Sequence, residues 1–136
     1  FNIYADPEAA AFVARSHLPQ TWIGLDVTHQ TAYTRAQWEQ LHHADQPASV
    51  LMREVMRHTF ERRERPVAYL HDPLAIAVVE QPNIVSYETG SVRVDVGEFR
   101  RGETRLADVG PRLPAAKVAV EVDQRAFHDI FGRLFS

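Results

Sequence analysis

The hydrophobic period of this chain changes partway along, and that change does most to limit its fold. Residues 49–64, "SVLMREVMRHTFERRE", carry Leu51, Met52, Val55, Met56, Thr59 and Phe60 at helical spacing, with Arg and Glu on the other face. Residues 91–99, "SVRVDVGEF", instead alternate apolar and polar side chains, with Gly97 and Gly102 as punctuation. Residues 116–123, "AKVAVEVD", alternate again, and the chain closes on a helical stripe of Phe127, Ile130, Phe131, Leu134 and Phe135. Helices followed by strands and a final helix predict an α/β arrangement.

The helix boundaries are written in cap residues. Asp6 before Pro7 and Glu8 predicts an N-cap followed by a residue suited to the first turn. Thr34 and Gln37 have the spacing of a capping box. Asp123 precedes the last stripe as a third cap. In "YLHDPLAIAVVE", residues 69–80, Asp72 before Pro73 reads as the start of a helix whose residues 74–79 are all apolar. On this plain reading Asp72 is a cap and His71 an ordinary loop residue. Between the first two helices, "QTWIGLDV" (residues 20–27) is a short, nearly continuous apolar run, as in a strand covered on both faces.

The totals exclude several functions. With 136 residues, 45% hydrophobic and 24% charged, the chain has the size of one ordinary domain and enough apolar surface for a core. Its longest apolar runs fall well short of a bilayer crossing. A net charge of −3 argues against a nucleic-acid partner, and nothing suggests a membrane partner. Without cysteine there is no disulfide or thiolate metal site, which permits a reducing cytoplasmic location. The chain opens on Phe1 with neither an initiator Met nor a signal-peptide pattern.

Chemistry has few places to reside. His42 and His43 are neighbours on a helix and cannot share a face, and no H-E-x-x-H spacing occurs among the seven histidines. The arginines from Arg53 to Arg65 are matched by Glu54, Glu61 and Glu64, the mixture of a solvated face. Phosphate-binding glycine loops and a G-x-S-x-G elbow are absent. Polar residues at predicted strand ends remain: Asn2, Asp26 to His29, and the pair His71-Asp72. Ligands of open α/β sheets bind outside the carboxyl ends of strands, and His71-Asp72 follows the strand candidate "VAYL".

Five segments then occur together and in order: "FNIYADPEAA", "GLDVTHQ", "HDPLA", "GEFRRGETRLAD" and "VAVEVDQRAFHDIF". In this set the chain resembles the inosine-uridine-preferring nucleoside hydrolase family, over the C-terminal half of a typical member. The resemblance implies that residues 1–136 are the C-terminal portion of one domain, half of an open fold around a mainly parallel sheet. It implies hydrolysis of the N-glycosidic bond of ribonucleosides, assisted by Ca²⁺. Asn2 would bind ribose hydroxyls, and Phe1 would lie near the ribose and base. Asp72 would ligate Ca²⁺ and accept from a ribose hydroxyl, while His71 would protonate the leaving base. A cytoplasmic homo-oligomer is the implied setting.

The family's D-x-D-x-x-x-D-D cluster, source of most calcium ligands and of the water-activating base, is not in this sequence. Calcium takes about 6–8 oxygens, so the chain by itself is expected to be inert unless the missing half is supplied as a fragment or a separate chain. The alternatives are a self-associating, non-catalytic remnant or a ribose- or nucleoside-binding module. His58, Phe60 and Arg63 are candidates for a helix that closes over the base, though packing or exposure on an amphipathic helix explains them equally.

Overall fold

The structure, a computed structural model, describes residues 1–43, 45–110 and 113–135. The chain divides into two compact units. One comprises residues 1–22 and 87–119, the other residues 23–86 and 120–136.

The first unit begins with one helical turn, α1 (Asn2–Ala5), and then α2 (Pro7–Ala14). Asp6 caps α2 as its sequence predicts, accepting from the Ala9 amide at 2.9 Å, with Pro7 where a free N–H is not needed. Strand β1 (Thr21–Trp22) is far shorter than the apolar run around it. Gln20 fixes its start: its amide donates to the carbonyl oxygens of Val13 and Ser16, and its Oε1 accepts from the Trp22 indole at 2.9 Å.

Along the chain follow, in the second unit, α3 (Leu25–Thr28), β2 (Ala32–Thr34), α4 (Arg35–Gln40), α5 (Pro47–Arg57), β3 (Val67–Tyr69) and α6 (His71–Glu80). The chain then forms β4 (Val85–Val94), β5 (Thr104–Ala107), β6 (Ala116–Val122) and α7 (Gln124–Gly132).

The expected α/β architecture is present, with a mixed sheet. Its order is β1-β6-β4-β5, with β1 parallel to β6 and β4 antiparallel to β5. In the first unit Ala14 of α2 packs on Val92 and Ala116, flanked by Trp22, Val94 and Val118. Val92, Val94, Ala116 and Val118 are inward members of the alternating runs, as the pleat requires. Ser91 is fully buried and satisfied, donating to the carbonyl oxygens of Leu113 and Pro114. A two-pronged pair joins Arg101 to Glu8 at 2.8 and 3.0 Å, and the Arg101 hydrogen bond holds the Glu8 carboxyl below its usual range.

Gly102 makes a sharper demand. Its φ is +79°, and a Cβ there would lie 2.5 Å from the Tyr4 Cα and 2.8 Å from the Tyr4 nitrogen. Both the backbone region and the approach of α1 therefore require glycine. We expect Gly102→Ala to cost about 1–3 kcal/mol in urea unfolding. Gly132→Ala is the control, since nothing lies within 4 Å of the added methyl in α7, and it should be neutral or stabilising.

In the second unit β2 and β3 form a separate antiparallel pair, with Ala32 opposite Tyr69 and Thr34 opposite Val67. The Thr34–Gln37 capping box is formed in both directions. Helix α5 continues into a π-helical turn at His58–Arg62, closed by the Arg63 amide on the His58 carbonyl at 3.1 Å and followed by Glu64 at φ +48°. Its burial differs from the simple amphipathic reading. Leu51 and Val55 are exposed, while Ser49 and Phe60 are fully buried and Met52 and Met56 half-buried. Phe60 packs at 5.5 Å between ring centroids on Trp38, whose indole donates to the Arg53 carbonyl at 3.1 Å. Leu74, Ala77 and Val78 of α6 and Phe127 and Phe131 of α7 supply further core. Asp123 caps α7 through the Ala126 amide at 3.0 Å. Among the described residues no helix is long and apolar enough to cross a membrane.

Candidate functional site

Strand β3 ends at Tyr69, Leu70 turns the chain, and His71 is the first residue of α6. Two consequences differ from the sequence reading. Asp72 is the second helical residue rather than the N-cap; that place falls to Leu70, with φ −93° and ψ 65°, whose carbonyl accepts the first helical bond from the Leu74 amide at 3.1 Å. No side chain caps this helix, so the exposed Asp72 carboxylate is not consumed by capping, although it sits at the positive helix end. Pro73 still falls in the first turn, where its missing N–H is harmless. Second, β3 belongs to a two-stranded antiparallel pair, so the strand-end rule for parallel sheets does not apply to His71.

What places His71 is the segment "GLDVTHQ". The expected strand across it stops at Trp22, and Leu25–Thr28 forms a single turn of helix instead. That turn is pinned at its end. The Thr28 amide donates to the Gly24 carbonyl at 3.0 Å, and the Thr28 carbonyl accepts from the buried Thr31 hydroxyl at 2.7 Å. The Thr31 carbonyl in turn accepts from the Leu70 amide at 3.2 Å, which ties the turn to the residue before His71. The result is a 2.7 Å contact between the Thr28 hydroxyl and His71 Nδ1, across 43 residues of sequence.

Two further rings flank the imidazole. His29 lies 4.5 Å from Tyr69 and 5.6 Å from His71 between ring centroids, and Tyr69 lies 6.1 Å from His71. His29 and Tyr69 are exposed and His71 is half-buried, so exposed ring surface lies beside the imidazole. Flat apolar faces with polar tips suit a planar heterocycle. The sequence places Thr28 and His29 among polar residues at predicted strand ends without linking them to His71, and it gives Tyr69 no role beyond a strand. The available signal was local: residues 69 and 71 are two apart at a strand end, and such residues share a side.

On α6, Asp72 also lines a cavity of about 520 Å³ with Ile76, Glu80, Phe127, Phe131 and Leu134 among its walls. Its lining is mainly apolar, with Asp72, Glu80 and Arg133 as its charged members. Leu134, expected in the core, is exposed beside it.

Phe1 and Asn2 belong to the first unit. Phe1 precedes α1 and is almost wholly exposed, and Asn2 opens α1 as an exposed residue. The sequence placed Asn2 ahead of a helix; it is instead the first residue of a one-turn helix, with α2 capped separately at Asp6. Of the base-closing candidates, Phe60 is buried, and Arg63 donates to His58 Nε2 at 3.0 Å on the exposed side of the π turn.

A calcium ion needs about 6–8 oxygens. Asp72 brings at most two, and among the described residues no group of three His, Asp or Glu side chains could hold a metal. The residues of this chain do not by themselves fit such an ion.

The comparisons with known proteins agree with one another. The model of the inosine-uridine preferring nucleoside hydrolase family matches residues 1–129. The pyrimidine-specific ribonucleoside hydrolase RihA of Salmonella typhi is 34% identical over 96% of this chain and 44% of its own length. A plant nucleoside hydrolase superposes with a TM-score of 0.88 at 28% identity, covering 99% of this chain and 47% of that one. The purine-preferring ribonucleoside hydrolase of Gardnerella vaginalis gives 0.81 at 32% identity, covering 98% and 45%. This chain thus spans less than half the length of these relatives. It belongs to the inosine-uridine preferring nucleoside hydrolase family.

Proposed function

We propose that residues 1–136 form the C-terminal part of a single nucleoside hydrolase domain, and that the complete protein hydrolyses the N-glycosidic bond of ribonucleosides. The observation that carries this reading is the start of α6. There His71 is held by Thr28 and flanked by two rings, and the adjacent Asp72 carboxylate is left over from capping.

In this reaction the bond from the sugar carbon to the base nitrogen breaks, and its electron pair leaves with the base. His71 delivers a proton to that base, which leaves more readily once protonated. Positive charge grows on the ribose as the base departs, as in glycoside hydrolysis, and carboxylate groups stabilise it. Asp72 accepts from a ribose hydroxyl; in the first unit, the family resemblance assigns Asn2 and Phe1 to ribose recognition. Water completes the products, ribose and free base. Asp72 would hold a calcium ion as one ligand, with the others drawn from outside residues 1–136, so these residues alone are expected not to turn nucleosides over. The relatives' names span pyrimidine and purine preference, so the shared fold does not fix the base.

The test is release of ribose and base from a panel of purine and pyrimidine ribonucleosides by the complete protein, with and without a calcium chelator. No release from any nucleoside would overturn the reading. Asp72→Asn should weaken directly measured calcium binding and raise KM; unaltered calcium affinity would remove Asp72 from the ligand set.

The lone Asp72 carboxylate favours a second reading for the chain by itself, a nucleoside- or ribose-binding module without turnover. Ribose or nucleoside binding to the isolated chain, measured by calorimetry, separates the two.

A further inference from the structure

We infer that Thr28 is a positioning residue for His71, holding the imidazole through Nδ1 and leaving Nε2 as its unengaged ring nitrogen. The inference rests on the hydrolase reading above and extends it to a residue outside the His-Asp pair.

The geometry leaves the threonine little freedom. Thr28 is only 4% exposed, its amide and carbonyl are both engaged within its own turn, and Thr31 and Leu70 fasten that turn to the start of α6. Its hydroxyl has two neighbours, His71 Nδ1 at 2.7 Å and the Leu25 carbonyl at 3.4 Å. A hydroxyl offers one proton and can also accept. The carbonyl of Leu25 can only accept.

The hydroxyl can donate to Nδ1 or accept from it, so the pair closes at 2.7 Å and holds the ring in one orientation. The nitrogen that a partner engages determines which nitrogen is left for chemistry. Among the described residues Nε2 has no hydrogen-bond partner, and that edge is the one available to a leaving base. His29 and Tyr69 flank the ring as well, but neither engages Nδ1.

The experiment has two arms. In the 136-residue chain with ¹⁵N-labelled histidine, the Nδ1 resonance of His71 is followed by NMR in the parent, Thr28→Val and Thr28→Ser. Valine keeps the shape and removes the hydroxyl, whereas serine keeps the hydroxyl. The Nδ1 signal should shift in the valine variant and stay near the parent position in the serine variant, with the amide fingerprint confirming that each is folded.

In the complete protein, Thr28→Val should lower kcat by about 10- to 100-fold, the scale of a lost hydrogen bond to a charged group. KM should change little, and Thr28→Ser should restore most of the rate. An unchanged Nδ1 signal in Thr28→Val would overturn the inference. So would an altered signal with unchanged kcat. A shifted signal in a complete protein that cleaves no nucleoside would overturn the hydrolase reading instead, and with it the purpose assigned to Thr28, while the contact itself would stand.

Discussion

Replacement of His71 by Ala in the complete protein is expected to slow nucleoside turnover by about 10²–10⁴-fold, the usual worth of a positioned general acid. The ring is half-buried, anchored through Nδ1 and backed by the first turn of α6, so the loss falls on proton delivery more than on ribose binding. KM for nucleosides should therefore move much less than kcat. A riboside with a leaving group acidic enough to depart unprotonated supplies the sharper comparison. With such a substrate the variant should retain most of the parent rate, because no proton is required there. Equal losses on both substrates would mean that His71 acts on the sugar or on the fold, and unchanged turnover of natural nucleosides would end its role as acid. Since His71 is not among the core side chains, the variant should melt near the parent temperature, which separates chemistry from folding.

The parts of this fold that were legible in the sequence are those set by local rules. Asp6, Thr34 and Asp123 each cap the helix their side chains announce, because capping depends only on a side chain and the amide three residues on. Alternation in residues 91–94 and 116–122 likewise forecast strands, and Val92 and Ala116 face inward on them. Asp72 obeyed the same grammar and was misread. The chain enters α6 two residues earlier, with the Leu70 amide bonded to the Thr31 carbonyl, a contact between segments that no local pattern encodes. The apolar run around Trp22 failed similarly. Continuous apolarity marks burial, and here Val27 is buried from a helical turn rather than from a strand. For the candidate site, the pair His71-Asp72 was visible as a strand-end motif, and resemblance to a family lent it meaning. Its surroundings were not visible, because the Thr28 contact spans 43 residues and exists only once α3 and α6 are formed.

Phe60 is where burial and function compete most directly, and substitution there is expected to have the largest effect on stability. Its position ahead of the His-Asp pair made it a candidate for contact with the base. The structure buries it completely, 5.5 Å from the Trp38 ring and beneath the Arg35 guanidinium, which lies 5.8 Å from its centroid. Truncating a fully buried phenylalanine typically costs about 3–5 kcal/mol in lost transfer and cavity formation. Stacking adds about 0.5–1.5 kcal/mol to the worth of such a ring. The site has little room to relax, because Trp38 is itself held by its indole hydrogen bond to the Arg53 carbonyl. Phe60→Ala should therefore lower the melting temperature by on the order of 10 °C, followed by circular dichroism. Phe60→Leu should recover much of that loss because it keeps most of the apolar volume. If Phe60 instead served the base, Phe60→Ala would leave the melting temperature in place and raise KM in the complete protein. That result would mean that the π-helical turn at His58–Arg62 opens during turnover to present a ring that is enclosed here.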